Sequence, residues 1–243
     1  MDFSKFIVKI ADTQTEKEQT YRLRYKEMLR EFNNELSESE GLDKSEYDDY
    51  AKLLIVKDVE KDEVIASYRL TDPADLPSGM KLVCESEFNI DKIRATGDKI
   101  CEVSRAIVHK DYRDGVVVML LVKGMLNYVI DNKFRFILGD ASFFGTDKSK
   151  YVKELSFLAQ RHGIDEALMV TSLDDEQIEQ IDTSNYNEKE MSRMLPPLLR
   201  TYLMFGSKVS DTAFTDNEFK SVDVFVLLDT QNYNEAAVRR FIR

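Results

Sequence analysis

The sequence predicts an α/β protein, with a central sheet of mixed strand direction flanked by helices on both faces. Two observations predict it. Short segments rich in Val, Ile and Phe alternate along the chain with segments whose apolar residues recur at helical spacing. Within that alternation, the strand-like runs AKLLIVKD (51–58) and VIASYRLT (64–71) are separated only by the charged turn VEKDE, so they read as a hairpin.

Each element follows from its pattern. FIVKIAD (6–12) is the first strand. TEKEQTYRLRYKEMLREF (15–32) is a helix, because Tyr21, Tyr25, Met28, Leu29 and Phe32 fall on one stripe. An acidic, mostly polar stretch over 33–49 leads to the hairpin. DPADLPSG is a loop, marked by two prolines and a glycine. CESEFNI (84–90) is ambiguous and precedes DKIRATGD. KICEVSRAIVH (99–109) is a strand, GVVVMLLVKGMLNYVIDN (115–132) a strongly apolar helix, and FRFILGDAS (134–142) a strand. A helix over about 148–161 and a strand around ALMVTS (167–172) follow. The remainder offers a polar acidic link, a helix near LLRTYLMFG, the strand SVDVFVLLD (221–229) and a terminal helix. There is no internal repeat and no low-complexity linker. One continuous domain over 1–243 is expected, with a core at about 1–172 and a continuation over 173–243.

Composition narrows the function. A hydrophobic content of 43% with 9 Gly and 4 Pro is that of an ordinary folded chain. No window approaches the length of uncharged apolar residues that a membrane span needs. The start, MDFSKFIVKIADTQ, lacks the basic and apolar regions of a secretory leader, so a cytoplasmic protein is expected. Cys84 and Cys101 are too few for a disulfide framework and have no metal-ligand spacing; buried thiols and no resident metal are expected. The net charge of −11 argues against nucleic acid as a partner. That charge is uneven. Residues 31–63 carry twelve acids against four Lys, and residues 110–162 carry nine Lys or Arg against six acids. The two regions are either differently solvated faces, or an acidic mouth for a cationic substrate beside a basic patch for an anionic partner.

The stretch ICEVSRAIVHKDYRDG (100–115) places Glu102 and Arg105 on an apolar strand, then ends in a basic turn and a glycine ahead of the apolar helix. Exposed N–H groups at such a helix start, with Arg113 beside them, can cradle phosphate. An ordinary structural turn gives the same signal.

Nearby motifs add to this one. RLRYKEM (22–28), EYDDYAKLLIV (46–56), SYRLTDP (67–73), ESEFNI (85–90), CEVSRAIVHKDYRDGVVVMLLVKG (101–124), FILGDASFFGTD (136–147), LPPLLRTYLMFGSKV (195–209) and FKSVDVFVLLD (219–229) together resemble the ornithine-lipid N-acyltransferases. These are a branch of the GNAT (GCN5-related N-acetyltransferase) superfamily related to the acyl-homoserine-lactone synthases. The resemblance implies a GNAT-like acyl-CoA N-acyltransferase fold. It also implies transfer of a (3-hydroxy) fatty acyl group from acyl carrier protein to the α-amine of ornithine or a similar amino acid, making a lyso-aminolipid. An N-acyl amino acid or acyl-homoserine-lactone synthase is the alternative, as is a non-catalytic protein that binds acyl carrier protein or acyl lipid.

The resemblance also implies roles for residues. Glu102 and Arg105 are the catalytic candidates, Glu102 holding the acceptor ammonium and helping to remove its proton, since an amine attacks a thioester only when neutral. Arg24, Asp48 and Arg69 are acceptor-binding candidates. Val108, Arg113, Asp114 and Gly115 would receive the phosphopantetheine of the donor. Lys110, Lys123, Lys148, Lys150 and Lys153 would dock an acidic carrier protein. Nothing is expected to be bound permanently; acyl-phosphopantetheine, on carrier protein or on CoA, is a co-substrate. Peripheral contact with the inner membrane, where such a product goes, stays open. Side chains three apart on a regular strand face opposite ways, so Glu102 and Arg105 can share one cleft only if a β-bulge lies between them. Two positions depart from the family pattern: Met28 and Lys52 stand where an aromatic or apolar residue and a second acid are usual.

Overall fold

The structure, a computed structural model, describes residues 5–29, 41–113, 115–174 and 178–242. Its elements in chain order are β1 (Phe6–Ile10), α1 (Gln14–Arg24), β2 (Lys52–Asp58), β3 (Glu63–Thr71), β4 (Phe88–Asn89), α2 (Asp91–Arg94), β5 (Ile100–Val108), α3 (Val116–Asp131), β6 (Phe136–Phe144), α4 (Val152–His162), β7 (Thr171–Ser172), α5 (Glu188–Met194), α6 (Pro197–Met204), β8 (Lys208–Asp216), β9 (Ser221–Asp229) and α7 (Glu235–Ile242). They divide into two compact units. The first comprises Met1–Met80, Cys101–Lys133 and Arg239–Arg243, and the second Lys81–Ile100 and Phe134–Val238.

In the first unit, β1, β2, β3 and β5 lie side by side, and each strand is antiparallel to its neighbour. Alternation along the strands sends successive residues to opposite faces. Leu53, Ile55 and Ile107 pack with Tyr21 and Leu23 of α1. On the other face α3 approaches closely through Gly124, where an added Cβ would meet Val8 Cγ1 at 2.5 Å and both methyls of Leu54 at 3.3 Å. Helices therefore cover both faces, as expected. The segment expected as one helix over 15–32 is α1 followed by a π-helical turn, Tyr25–Leu29. The α1 start is fastened from three sides. Thr13 Oγ1 accepts the Glu16 N–H, while the buried Glu16 carboxylate accepts the Asp12 N–H and the Lys9 ammonium.

In the second unit, β6, β9 and β8 form an antiparallel set. Val222, Val224 and Val226 of β9 share one face with Ala141 and Phe143 of β6, and that face packs on Leu155, Phe157 and Leu158 of α4 and on Met191, Leu195 and Leu199. On the opposite face Phe225 and Phe214 pack against Phe88 of β4. β8 and α5 are elements that the sequence pattern did not reveal, and the strand expected over 167–172 shrinks to the two residues of β7. No described helix is long and apolar enough to cross a membrane.

Candidate functional site

The site in the first unit rests on a fault in one ladder. β3 and β5 pair as Thr71–Glu102, Leu70–Val103 and Arg69–Ser104, then resume as Ser67–Ile107 and Ala66–Val108. Two steps on β3 match three on β5, so β5 carries a bulge opposite Tyr68. Arg105 sits in it with φ at +52°, in the left-handed region that a residue with a side chain seldom adopts. The bulge changes which way side chains point. Glu102, Ser104, Arg69 and Thr71 share the α1 face by register, and Arg105 reaches that face too, its Nε 3.2 Å from Asp43 Oδ2. Glu102 and Arg105 are thus brought to one face by the device that their spacing required.

Around them lies a buried polar cluster. Arg24 Nη1 donates to Asp48 Oδ1 at 2.6 Å, and neither side chain is more than 1% exposed. Asp48 Oδ2 accepts the Ser45 N–H at 2.9 Å. Arg69 Nη1 donates to Ser45 Oγ at 2.8 Å and Nε to Ser104 Oγ at 3.0 Å, with its guanidinium over the Tyr47 ring. Three guanidinium groups (24, 69, 105) and three carboxylates (43, 48, 102) therefore share one interior, and Glu102 is 1% exposed. Burial alone would raise the Asp48 carboxyl, but the charge and hydrogen bond of Arg24 hold it below the usual carboxylate range, helped by the Ser45 N–H and Arg69. Burial and the neighbouring Arg105 push Arg69 down to about 10, against the pull of Asp48.

Of the acceptor candidates, Arg24, Asp48 and Arg69 are thus structural as they stand: they fasten the Ser45–Asp48 turn to α1 and β3. Arg24 retains more capacity. Its Nε and Nη2 are buried and have no hydrogen-bond partner among the described residues. A guanidinium with two unused donors suits a carboxylate. Asp43 and Ser45 were not singled out by sequence and had no signal beyond the acidic stretch; Ser104 stands inside the E-x-S-R motif.

The donor candidates cluster at the end of β5. Gly115 precedes α3 with φ at +94°, and nothing lies within 4 Å of an added Cβ, so the glycine serves the backbone conformation and not a tight fit. Arg113 Nε donates to the Val108 carbonyl at 3.0 Å, and its Nη2 lies 3.3 Å from Glu27 Oε2, which ties the turn to the strand end. Asp114 lies outside the described residues, as do residues 31–40 of the acidic stretch.

The docking lysines separate. Lys110, Lys150 and Lys153 are exposed and Lys123 is half-buried. Lys148 is a correction: it is 5% exposed, and its ammonium donates to Asp174 at 2.8 Å. Asp174 also accepts the Thr215 N–H, so this lysine is a buried fastener and not a surface cation.

Residues 23–123, which contain the β5 bulge and the Gly115 turn, match the model of the acetyltransferase (GNAT) domain. This part of the chain is similar to a GNAT domain. Among curated relatives, it is similar to the L-ornithine N(alpha)-acyltransferase of Rhodobacter capsulatus, 27% identical over 236 residues that cover 94% of this chain and 91% of that one. The protein of the same name from Brucella abortus is 22% identical over 97% of this chain and 90% of its own. Among solved structures, BjaI, a CoA-dependent acyl-homoserine lactone synthase with MTA, matches with a TM-score of 0.53 at 15% identity, covering 94% of this chain and 81% of that one. TofI, in a ternary complex with an inhibitor and MTA, matches at 0.52 and 12% identity over 97% of this chain and 96% of its own. At such identities the structural likeness is one of fold, and it supports the GNAT-like α/β architecture expected from the sequence.

Proposed function

We propose that this chain, acting as one N-acyltransferase domain, moves a fatty acyl group from a phosphopantetheine thioester to the α-amine of ornithine or a closely similar amino acid. The observation that carries the reading is the β5 bulge, which brings Glu102 and the half-buried Arg105 to the face that holds the buried Arg24, Arg69 and Asp48. The names of the near-full-length relatives support ornithine as acceptor.

The chemistry assigns the residues. The acceptor carboxylate is received by the unused Nε and Nη2 donors of Arg24, with Arg69 beside it. Glu102 holds the ammonium and takes its proton, directly or through a water. The neutral nitrogen attacks the thioester carbon, the N–C bond forms, and the C–S bond breaks with the thiolate leaving. A second proton leaves nitrogen as the amide forms; of the two protons removed, one is passed to the sulfur and the other goes to solvent. The Gly115 turn and the start of α3 supply N–H groups to the donor's phosphate. An acyl carrier protein is the proposed donor, docking on exposed cations such as Lys150 and Lys153; with Lys148 buried, it no longer belongs to that set.

The test is to incubate the full chain with acyl-loaded carrier protein or acyl-CoA, and with ornithine, lysine, glycine, serine or glutamine in turn. Free-thiol release and product mass are read out. Ornithine-dependent thiol release with an amide product supports the reading. If glycine or serine outcompetes ornithine, the ornithine assignment falls; if no amino acid releases thiol from either donor, the transferase reading falls with it.

A further inference from the structure

We propose that Glu87, Asp216 and Asp223 of the second unit form a binding site for a hard divalent cation of the calcium or magnesium type. The motivating oddity is Asp223. It lies on β9 on the face that carries Phe225, opposite Phe214 of β8, where Phe88 packs against both rings. It is 3% exposed, and its Oδ2 accepts from Ser221 Oγ at 2.9 Å. Oδ1 is buried and has no hydrogen-bond partner among the described residues. Burial and the nearby Asp216 push this carboxyl up, while the hydroxyls of Ser142 and Ser221 pull it down. An ionised carboxylate in such a place is costly unless something positive joins it.

Two more carboxylates stand beside it. One oxygen each from Glu87, Asp216 and Asp223 lies within 4.8 Å of the others. Asp216 closes β8, and its Oδ1 accepts the N–H groups of Glu218 and Phe219, which fixes the orientation of its carboxylate. Glu87 directly precedes β4 and is anchored by its backbone, whose carbonyl accepts the Leu173 N–H at 2.7 Å. The donor set is oxygen only, without His or Cys, which selects hard cations over zinc or copper. Calcium–oxygen distances of about 2.3–2.6 Å let ligands across the ion stand roughly 5 Å apart, so oxygens within 4.8 Å of one another are in reach of one calcium ion. The ion would fasten the Val83–Asn89 segment to the β8–β9 hairpin. Sequence alone could not show the site, because Glu87 lies far along the chain from Asp216 and Asp223.

The experiment uses the full chain after chelator treatment at pH 7.5, with thermal unfolding followed as CaCl2, MgCl2 or MnCl2 is added singly. At least one ion should raise the melting temperature of the wild type by on the order of 5 °C at millimolar concentration. The isosteric variants Asp223→Asn and Asp216→Asn, which keep the local hydrogen bonds, should lose that rise. Equilibrium dialysis should give one tightly bound ion per chain in the wild type and none in Asp223→Asn. The proposal is overturned if none of the three ions moves the wild-type melting temperature, as a proton shared among the carboxylates would predict. It is equally overturned if the ions stabilise wild type and both variants alike.

Discussion

Arg24 and Glu102 are both buried ionisable residues, yet the structure asks different things of them. Arg24 is held by Asp48, and removing that acid leaves the buried guanidinium without the carboxylate it is bonded to. Asp48→Asn is therefore expected to cost about 3–5 kcal/mol in a denaturant titration. A loss below about 1 kcal/mol would mean that solvent reaches the pair. Glu102→Gln keeps the shape and removes only the charge and the basicity. Its expected effect is a fall in turnover by a factor on the order of 10², with the unfolding midpoint little changed. Unchanged turnover in a folded variant would take Glu102 out of the proton transfer. The shared placement of Glu102 and Arg105 was legible because a strand has no structural need of Glu and Arg along its length, and the bulge that their spacing demanded is where the left-handed Arg105 lies. Lys148 misled for the converse reason. A lysine in a basic stretch reads as surface, and its partner Asp174 is 26 residues away in sequence, so nothing local betrays the burial.

Elements make their own predictions. At the start of α1, burial alone would raise the Glu16 carboxyl, but the Lys9 ammonium and the Asp12 N–H outweigh it and hold the group down to about 2, against an ordinary value of 4.5. A carboxyl depressed on folding contributes stability that is fully present above its unfolded value and is lost as pH falls through its folded one. Glu16→Gln should therefore be less stable than wild type above about pH 4.5, with the gap closing as pH falls toward about 2; a pH-independent gap would show that packing and not charge is at stake. Across the sheet, Gly124 sits inside α3, where alanine would ordinarily gain about 1 kcal/mol of helix propensity. Here the new methyl meets Val8, and overpacking of that kind costs about 1–3 kcal/mol. Gly124→Ala should destabilise in thermal melts, and Val8→Ala combined with it should cost less than the sum of the two single changes. A Gly124→Ala variant more stable than wild type would show that the close approach is not a constraint. The elements that sequence reading found are those whose core faces are continuous, such as SVDVFVLLD. β8 escaped it because KVSDTAFTD buries Val209 and Ala213 across a register shift, which breaks the two-residue period that marks a strand.

At the scale of the whole molecule, charge decides how a donor can approach. The chain carries −11, so a strongly acidic carrier protein is repelled at long range, and docking must rely on local cations. Lys150 and Lys153 are exposed, one beside and one at the start of α4, and nearby charge is thin: Lys150 has Asp147 at 3.8 Å, while Glu154 is buried. A CoA thioester presents the same reactive arm without the protein's acidic surface. Reversing both charges, Lys150→Glu with Lys153→Glu, should therefore raise KM for the carrier-bound donor by roughly tenfold and leave KM for acyl-CoA within about twofold, with kcat similar for both. Added salt should weaken the carrier-bound reaction of the wild type more than that of the variant, since the contact that salt screens is already gone there. The measurement is a pair of KM determinations at two ionic strengths for each donor. Equal changes for both donors would place the lysines at the shared phosphopantetheine arm. No change for either would place docking elsewhere on the chain.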